Sequence, residues 1–344
     1  MDRCHFVLVE SDVASILLVS ITRYFVFGEK MKLYLVLIFY LCEVSLLVCS
    51  GSVFGTDQSG LDCFFVKLNS NFSKFDRILN IGDISISGPF TASRSLNNKN
   101  YLVTYHTFDS LGVPHYFLLN IDISQKAKVI ENVTLNGPGV GSFFKIVEDE
   151  KQGLIGIRES LHPGSTLEVA SINRTNGLMK SIGFYPYGEY SLVMTFARQR
   201  RLFYNLIDSY RFCAIDVDTG RLDVDTMIPG EYLIYAIVYD SIKDRLLTIV
   251  TIENSWVLAE MKIENSSSTI SFQRIGNSSI PMSKGYLWTN TYTLALTQRQ
   301  LMTLWDFSNE DTYILITFDI DSGDIIQKQT ISNANYLNNL VYFD

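Results

Sequence analysis

The sequence is poor in the residues that support disulfide-stabilised folds and metal sites. Of its 344 residues, 5 are cysteine, 4 are histidine and 7 are proline. Only Cys63 and Cys213 follow residue 50, which is too few for a disulfide framework. A hydrophobic core must therefore provide the stability, and with 47% hydrophobic residues the chain can build a large one.

Positive charge is also scarce. The chain has 28 Lys and Arg against 36 Asp and Glu, a formal net charge of −8. Proteins that bind nucleic acid need clustered Lys and Arg to displace counterions, so no nucleic acid partner is expected. We find no nucleophile elbow, zincin, phosphate-loop or dinucleotide-binding motif, and His106 and His115 are too loosely arranged to predict zinc. The sequence therefore assigns no catalytic residue, metal ligand or cofactor.

The first fifty residues differ from the rest. Residues 31–50, MKLYLVLIFYLCEVSLLVCS, combine a short basic start, an apolar run and small residues, which is typical of a signal peptide. Residues 1–30 are then interpreted as an upstream extension, which a start codon placed ahead of the true start at Met31 would explain. The alternative is a membrane anchor over 33–49, although Glu43 would cost about 3 kcal/mol in the bilayer. We expect a secreted protein, with membrane anchoring as the alternative.

Glycosylation sequons agree with a secretory route. Five Asn-x-Ser/Thr sites are predicted as glycan acceptors, at Asn71, Asn132, Asn173, Asn265 and Asn277.

A repeating unit runs through the rest of the chain. Its clearest mark is a strand followed by a polar turn, as in IDVDTG from Ile215 and FDIDSG from Phe318. Four further copies align with these, and the second residues of the six lie at positions 67, 120, 173, 216, 262 and 319. Spacings of 43 to 57 residues indicate stacked supersecondary units.

A second recurring piece precedes most of these turns. It consists of two apolar strands joined by a charged or amide-rich bend, at 91–105, 144–157, 192–207, 235–251 and 294–305. Each unit thus contains four short strands, and almost no segment shows helical periodicity. A four-stranded sheet cannot bury both faces alone, whereas sheets arranged around an axis bury them against each other.

The sequence therefore predicts an all-β fold, a single β-propeller over residues 51–344. We expect six four-stranded blades, with seven as the alternative. Residues 339–344, NLVYFD, resemble the first strand of a unit, whereas the segment from Ser52 supplies later strands only. Strands from both ends of the chain are therefore predicted to share one blade and close the ring. Cys63 and Cys213 then lie three blades apart and are expected to be buried, unpaired thiols.

The polar turns are interpreted as structural. Asp or Asn at the start can accept hydrogen bonds from the backbone, and Gly at the end can take a left-handed conformation. These positions are Asp216 and Gly220, Asp319 and Gly323, and Asn173 and Gly177. A calcium loop is the alternative for Asp216-x-Asp218 and Asp319-x-Asp321, but Met227 and Thr330 stand where such a loop needs Glu.

The same turns carry a family resemblance. Asp216-x-x-Thr219-Gly220 and Asp319-x-x-Ser322-Gly323 resemble the D-x-x-T-G hairpins of quinoprotein-like propellers, and the unit resembles YVTN and WD-like repeats. The resemblance covers about residues 60–344 and implies the propeller fold. Quinoproteins commonly place Trp four residues after the Gly. This chain has Ser181, Val224 and Gln327 there, so no quinone cofactor is expected.

Aromatic residues offer a candidate binding surface. Tyr185, Tyr187 and Tyr190 lie in a Pro- and Gly-containing loop, where their rings could stack on a sugar or anchor a peptide. The alternative is that they cover the interface between two blades.

We expect a monomeric binding or protein-interaction module with a protein or carbohydrate ligand. The alternative is an extracellular enzyme of lactonase or other hydrolase type, with its site in the central channel. The predicted innermost strands carry residues that are mostly weak catalysts: Lys145, Ser191, Thr195, Tyr235 and Tyr239. A cluster of three or more ionisable groups in the channel would favour the enzyme.

Overall fold

The structure is a computed structural model. It describes the backbone of 5–11 and 14–20 and then residues 51–59, 62–83, 91–124, 126–137, 143–160, 167–185, 190–208, 210–264, 269–282, 286–306, 313–331 and 337–344. The predicted signal segment, 31–50, lies outside the described residues. Near the start of the chain, β1 (His5–Ser11) and β2 (Ala14–Ser20) form an antiparallel two-stranded sheet, which belongs to a separate compact unit.

The remaining strands follow one another as blades. Blade 1 includes β3 (Ser52–Ser59), β4 (Asp62–Leu68) and β5 (Phe75–Asp83). Blade 2 contains β6 (Thr91–Arg94), β7 (Asn100–Phe108), β8 (Pro114–Asp122) and β9 (Lys128–Thr134). Blade 3 contains β10 (Phe143–Asp149), β11 (Gly153–Glu159), β12 (Leu167–Ile172) and β13 (Met179–Phe184).

The second half of the chain repeats this plan. Blade 4 contains β14 (Tyr190–Ala197), β15 (Leu202–Ile207), β16 (Arg211–Asp216) and β17 (Leu222–Met227). Blade 5 contains β18 (Ile234–Asp240), β19 (Arg245–Ile252), β20 (Ser255–Glu264), β21 (Thr269–Arg274) and the short β22 (Ile280–Pro281), which pairs with β20. Blade 6 contains β23 (Tyr286–Ala295), β24 (Gln300–Asp306), β25 (Tyr313–Asp319) and β26 (Ile325–Ile331), and the chain ends in β27 (Leu337–Phe343).

The last strand closes the ring. The strand order of blade 1 is β27-β3-β4-β5, so the innermost strand comes from the end of the chain and the other three from residues 52–83. The other described sheets keep their main strands in sequence order. The predicted six-bladed propeller and its closure by both ends of the chain are confirmed.

The middle strands show why the sheets need each other. In β19, Leu246 and Val250 pack towards blade 4, whereas Leu247 and Ile249 pack towards blade 6. Because successive side chains point to opposite faces of a sheet, one continuous apolar strand contributes to two interfaces. Each such side chain stabilises the fold by roughly 1.5 to 3 kcal/mol on burial.

The core is accordingly divided among the blade interfaces. The buried apolar residues that the structure describes form six clusters, one between each pair of neighbouring blades around the ring. The cluster between blades 6 and 1 joins Val53 near the start of the propeller to Leu340 and Tyr342 of the last strand. Burial of both ends of the propeller in one cluster is what fastens the ring.

The polar turns between third and fourth strands are tightly built. Asp216 Oδ1 accepts hydrogen bonds from the N–H groups of Asp218 (2.9 Å) and Thr219 (2.7 Å). Asp319 Oδ1 accepts the equivalent hydrogen bonds from the N–H groups of Asp321 and Ser322. The closing glycines, Gly177, Gly220 and Gly323, have φ of 69°, 72° and 74°.

These glycines also contact the preceding blade. A Cβ atom at Gly220 would lie 2.0 Å from the carbonyl oxygen of Ile182, and one at Gly323 would lie 1.9 Å from that of Ile275. A Cβ at Gly177 would meet Thr134 O at 1.9 Å. The turn therefore needs glycine for two reasons: its φ is positive, and a Cβ atom would clash with the backbone of the preceding blade.

The two cysteines are buried and free, as expected. Cys63 lies in blade 1 and Cys213 in blade 4. Burial raises the pKa of each thiol to about 12. Both are therefore protonated and inert at neutral pH. In the part of the chain that the structure describes, no helix is long and apolar enough to cross a membrane.

Candidate ligand site in the central channel

A cavity occupies one end of the central channel. Its volume is about 390 Å³, and its lining includes residues from the innermost strand of every blade, β6, β10, β14, β18, β23 and β27. It opens on the face that carries the connections between first and second strands, here called the hairpin face, because Arg198, Gln199, Ser241 and Leu296 from these connections also line it. Cavities of this size bind small molecules in many proteins.

Tyr292 of β23 spans the channel. Its ring is buried, and its hydroxyl donates a hydrogen bond of 3.2 Å to the carbonyl oxygen of Met194 in blade 4, two blades away. Burial raises the pKa of the Tyr292 hydroxyl to about 12, so it stays protonated. Since a side chain from blade 6 reaches a backbone group of blade 4, Tyr292 forms part of the cavity floor.

Lys145 of β10 lies against this floor. Its Nζ atom is 5.4 Å from the centroid of the Tyr292 ring, a cation–π contact. Among the described residues, no carboxylate forms an ion pair with Lys145 and no group accepts a hydrogen bond from it. Burial lowers the pKa of Lys145 from the usual 10.5 to about 8. The amine is therefore poised between its charged and neutral forms in mildly basic solution.

Two arginines lie nearer the opening of the cavity. Arg198 Nη2 donates a 2.8 Å hydrogen bond to the backbone carbonyl of Glu148, and Arg94 Nη1 lies 3.4 Å from Asn98 Oδ1. Glu148 is the acidic residue of the described lining, and both its carboxylate oxygens are engaged. Oε1 pairs with Arg174, and Oε2 accepts a 2.6 Å hydrogen bond from the N–H of Leu96. The described lining thus has three cationic side chains and one carboxylate, in a protein of net charge −8.

Ion pairs surround the hairpin face. Arg299, at the end of the first hairpin of blade 6, binds Asp240 of blade 5 and also Asp321 of its own polar turn. Arg201 of blade 4 binds Asp149 of blade 3 and Asp218 of its own polar turn in the same way. We call each set an Asp–Arg–Asp bridge. Both arginines have positive φ, 57° and 59°, which directs the two side chains alike.

The Asp–Arg–Asp bridges account for the second aspartate of the polar turns. Hydrogen bonds from Arg201 and Arg299 hold the pKa values of Asp218 and Asp321 well below their usual range. Lys151 and Lys243 add further ion pairs to the same two carboxylates. The part of the chain described by the structure holds no cluster of three metal-ligating side chains. Asp218 and Asp321 are therefore built into ion pairs between blades.

The loop that contains Tyr185, Tyr187 and Tyr190 does not present Tyr185 on a binding surface. Tyr185 is fully buried, and its hydroxyl donates a 2.6 Å hydrogen bond to the carbonyl oxygen of Phe203 in blade 4. It therefore covers the interface of blades 3 and 4 and is not available to a ligand, which corrects its candidacy. Tyr187 lies outside the described residues, and of Tyr190 only the backbone is described, as the first residue of β14.

The innermost strands carry the predicted side chains. Lys145 and Thr195 line the cavity with Tyr239, whereas Tyr235 stacks edge-on against Trp256 at 4.1 Å. Ser191 lies in β14, and its side chain is outside the described residues. The hydroxyl of Tyr239 lies 2.6 Å from Asp244 Oδ1, and burial raises its pKa. Of the described side chains among these five, Lys145 carries the amine that lines the cavity.

The histidines that the structure describes have structural surroundings. His106 is buried between the rings of Phe108 and Tyr116, at 5.2 and 5.5 Å. His115 is exposed, with Nε2 3.3 Å from Asp109 Oδ2.

Four of the predicted glycan acceptors are exposed: Asn71, Asn132, Asn173 and Asn277. Asn265 lies outside the described residues. Glycosylation at all five stays a prediction.

The fold defines the protein as a six-bladed β-propeller, and solved structures that resemble it are β-propellers. No protein-family model matches the chain, and no curated protein matches it. A protein of unknown function from Bacteroides caccae has a TM-score of 0.50 at 7% identity, over 86% of this chain and 99% of that chain. The Pseudomonas aeruginosa periplasmic gluconolactonase has a TM-score of 0.47 at 10% identity, with the same coverage. A Synechocystis apocarotenoid oxygenase mutant has a TM-score of 0.47 at 10% identity, over 84% of this chain and 74% of that chain. At such identities the likeness concerns the fold alone.

Proposed function

We propose that this propeller is a binding module that takes a small anionic ligand into the hairpin-face end of its channel. The observation that carries the proposal is Lys145, a partly buried amine that lines the cavity and has no carboxylate partner among the described residues. Desolvation disfavours the charged form of an amine that has no partner, and a bound anion would offset that cost.

The surroundings of Lys145 support an anion over a neutral ligand. Arg94 and Arg198 line the same cavity, and the carboxylate of Glu148 is already neutralised by Arg174. A recessed cluster of cations concentrates the electrostatic field and raises the local concentration of anions, even where the whole protein is negative. The apolar part of the lining, which includes Met194, Ile237 and Leu294, suits a short carbon skeleton.

The experiment is calorimetric titration of the purified propeller with pyruvate, lactate, glucose 6-phosphate and neutral glucose. We expect at least one of the anions to bind and glucose not to bind. Lys145→Met should weaken anion binding about 10- to 100-fold, the range for loss of a charged hydrogen bond. Lys180→Met is the matched control, because Lys180 is exposed on β13, and it should bind like the wild type. Equal affinity of Lys145→Met and wild type, or no anion binding, would contradict the proposal.

Catalysis in the channel is the second candidate function. The cavity lining includes four charged groups, Arg94, Lys145, Glu148 and Arg198, which exceeds the three that favour an enzyme. A hydrolase also needs a general base, and the carboxylate of Glu148 is committed to Arg174 and Leu96. We therefore place binding first. Hydrolysis of a sugar lactone that is lost in Glu148→Gln would reverse this order.

We further propose that the protein acts outside the cell, on the ground of the signal-like segment 31–50 and the sequons. A protein or carbohydrate partner remains the other ligand class to screen. Expression from Met31, followed by mass spectrometry of the medium, tests secretion, cleavage and glycosylation together. Retention of the protein in membranes would favour the anchor.

A further inference from the structure

The cavity contains an amine that the proposed binding function does not fully use. Lys145 Nζ lies over the Tyr292 ring at 5.4 Å, at the inner end of a cavity whose opening is lined by arginine. An anion held by Arg198 or Arg94 at the opening would place the rest of its skeleton towards this amine. The arrangement therefore separates a site for the negative charge from a site for a nucleophile.

We propose that Lys145 forms a reversible covalent imine with the carbonyl group of a small 2-oxo acid, whose carboxylate is bound by the arginines of the channel end. This inference rests on the proposed function, because it takes the anion-binding cavity as the place of reaction. It deepens that function by naming the class of ligand, a carboxylate with an adjacent ketone or aldehyde.

The surroundings of Lys145 supply a neutral amine. Burial lowers its pKa to about 8, so a substantial fraction is unprotonated at pH 7.5 to 8. The ionisable or charged side chains of the cavity lining come from all six innermost strands or the hairpins that follow them: Arg94, Lys145, Glu148, Arg198, Tyr239, Tyr292 and Tyr342. Desolvation is the cause of the lowered pKa of Lys145, and the one carboxylate among these groups, Glu148, is paired with Arg174.

The chemistry balances without a further reactant. The lone pair of the neutral Nζ attacks the carbonyl carbon, and the oxygen takes up the proton that nitrogen loses, which gives a carbinolamine. The hydroxyl then takes up the remaining proton of this nitrogen and departs as water, which leaves a carbon–nitrogen double bond in place of the carbon–oxygen double bond. Return of water restores the lysine and the oxo acid, so no oxidant or reductant is consumed.

The test traps the imine with pyruvate. The propeller is incubated with pyruvate and sodium cyanoborohydride, which reduces an imine to a stable secondary amine, and the modified lysine is located by peptide mass spectrometry. We expect modification of Lys145 at least tenfold above that of exposed lysines such as Lys180, rising with pH through 8. Lys145→Met should lose this adduct, and Lys180→Met should keep it. Lys145→Arg serves as a second variant, because it retains the charge and cannot form an imine.

Lactate separates failure of this inference from failure of the proposed function, because it has the same carboxylate and no carbonyl group. Imine at Lys145 with pyruvate and simple binding of lactate would support both proposals. Binding of both acids without an adduct at Lys145 would overturn the imine and leave the binding module intact. Binding of neither acid, with labelling spread over exposed lysines, would overturn both.

Discussion

Arg299 of blade 6 donates two parallel hydrogen bonds to the carboxylate of Asp240 in blade 5, of 2.7 Å from Nη1 to Oδ1 and 2.6 Å from Nη2 to Oδ2. Asp240 is fully buried and also accepts a 3.0 Å hydrogen bond from Arg245 Nε. Bidentate pairs of this kind fix orientation as well as distance. The hydrophobic interface between these blades is therefore joined at its edge by a geometrically specific polar contact.

Loss of one arginine should expose the difference between the two Asp–Arg–Asp bridges. Asp149 has Arg201 as its cation partner among the described residues, whereas Asp240 has Arg299 and Arg245. Arg201→Met leaves a buried carboxylate without a cation and should lower the free energy of unfolding by about 3 kcal/mol. Arg299→Met should cost roughly half as much, because Arg245 remains.

Urea unfolding at pH 7 measures both changes. Arg221→Met is the control, since Arg221 is exposed beside the polar turn of blade 4 and forms no ion pair with the described residues. It should change the free energy of unfolding by less than about 0.5 kcal/mol. Equal stability of Arg201→Met and Arg221→Met would refute the structural role of the bridge.

Acid should weaken the propeller through the same carboxylates. Hydrogen bonds from Arg201 and Arg299 lower the pKa values of Asp218 and Asp321 in the folded state. A carboxylate with a lowered folded pKa stabilises the fold fully above its unfolded pKa of about 3.9 and loses that contribution as pH falls further. The urea concentration at the midpoint of unfolding should therefore decrease as the pH is lowered below about 4. This decrease should be smaller in Arg201→Met. A urea midpoint that stays constant between about pH 2 and about pH 5 would contradict this prediction.

Gly323 should be intolerant of alanine for two separate reasons. Its φ is 74°, and an added Cβ would lie 1.9 Å from the backbone oxygen of Ile275 in the preceding blade. Gly112 has a similar φ of 77°, and no atom lies within 4 Å of an added Cβ. Gly112→Ala therefore measures the cost of the positive φ alone, without a steric clash. We expect Gly112→Ala to cost about 1 kcal/mol and Gly323→Ala about 3 kcal/mol or more. Thermal unfolding of the two variants would distinguish them, and equal costs would rule out the blade contact.

Tyr292 should contribute mainly through its ring. Tyr292→Phe removes the 3.2 Å hydrogen bond to Met194 across the channel and should cost about 1 kcal/mol. Tyr292→Ala also removes the ring beneath Lys145 and leaves a cavity, so it should cost about 3 to 5 kcal/mol. Urea unfolding tests both, with Tyr210→Phe as the exposed control. A larger loss for Phe than for Ala would show that the hydroxyl, and not packing, holds the floor of the cavity.

The pattern of strands and turns could be predicted because it depends on neighbouring residues. The alternation in β19 and the Asp216 to Gly220 turn follow from side-chain direction and backbone conformation over a few positions. The ring closure followed from the resemblance of residues 339–344 to a first strand. The candidate site could be predicted from the sequence only in part. Lys145 was placed on an innermost strand, but no feature of the neighbouring sequence distinguished it from the four other side chains named there.

The sequence by itself determined the repeating sheet, the turn chemistry and the need for sheets to cover one another. Only the tertiary structure decided which polar groups meet. Arg201 and Asp149 are 52 residues apart, Arg299 and Asp240 are 59 apart, and Tyr292 and Met194 are 98 apart. The angle between blades and the closure of the ring bring these groups within hydrogen-bond distance, and no short segment encodes that angle. The same closure desolvates Lys145 and lowers its pKa, because desolvation depends on all the strands around the channel together.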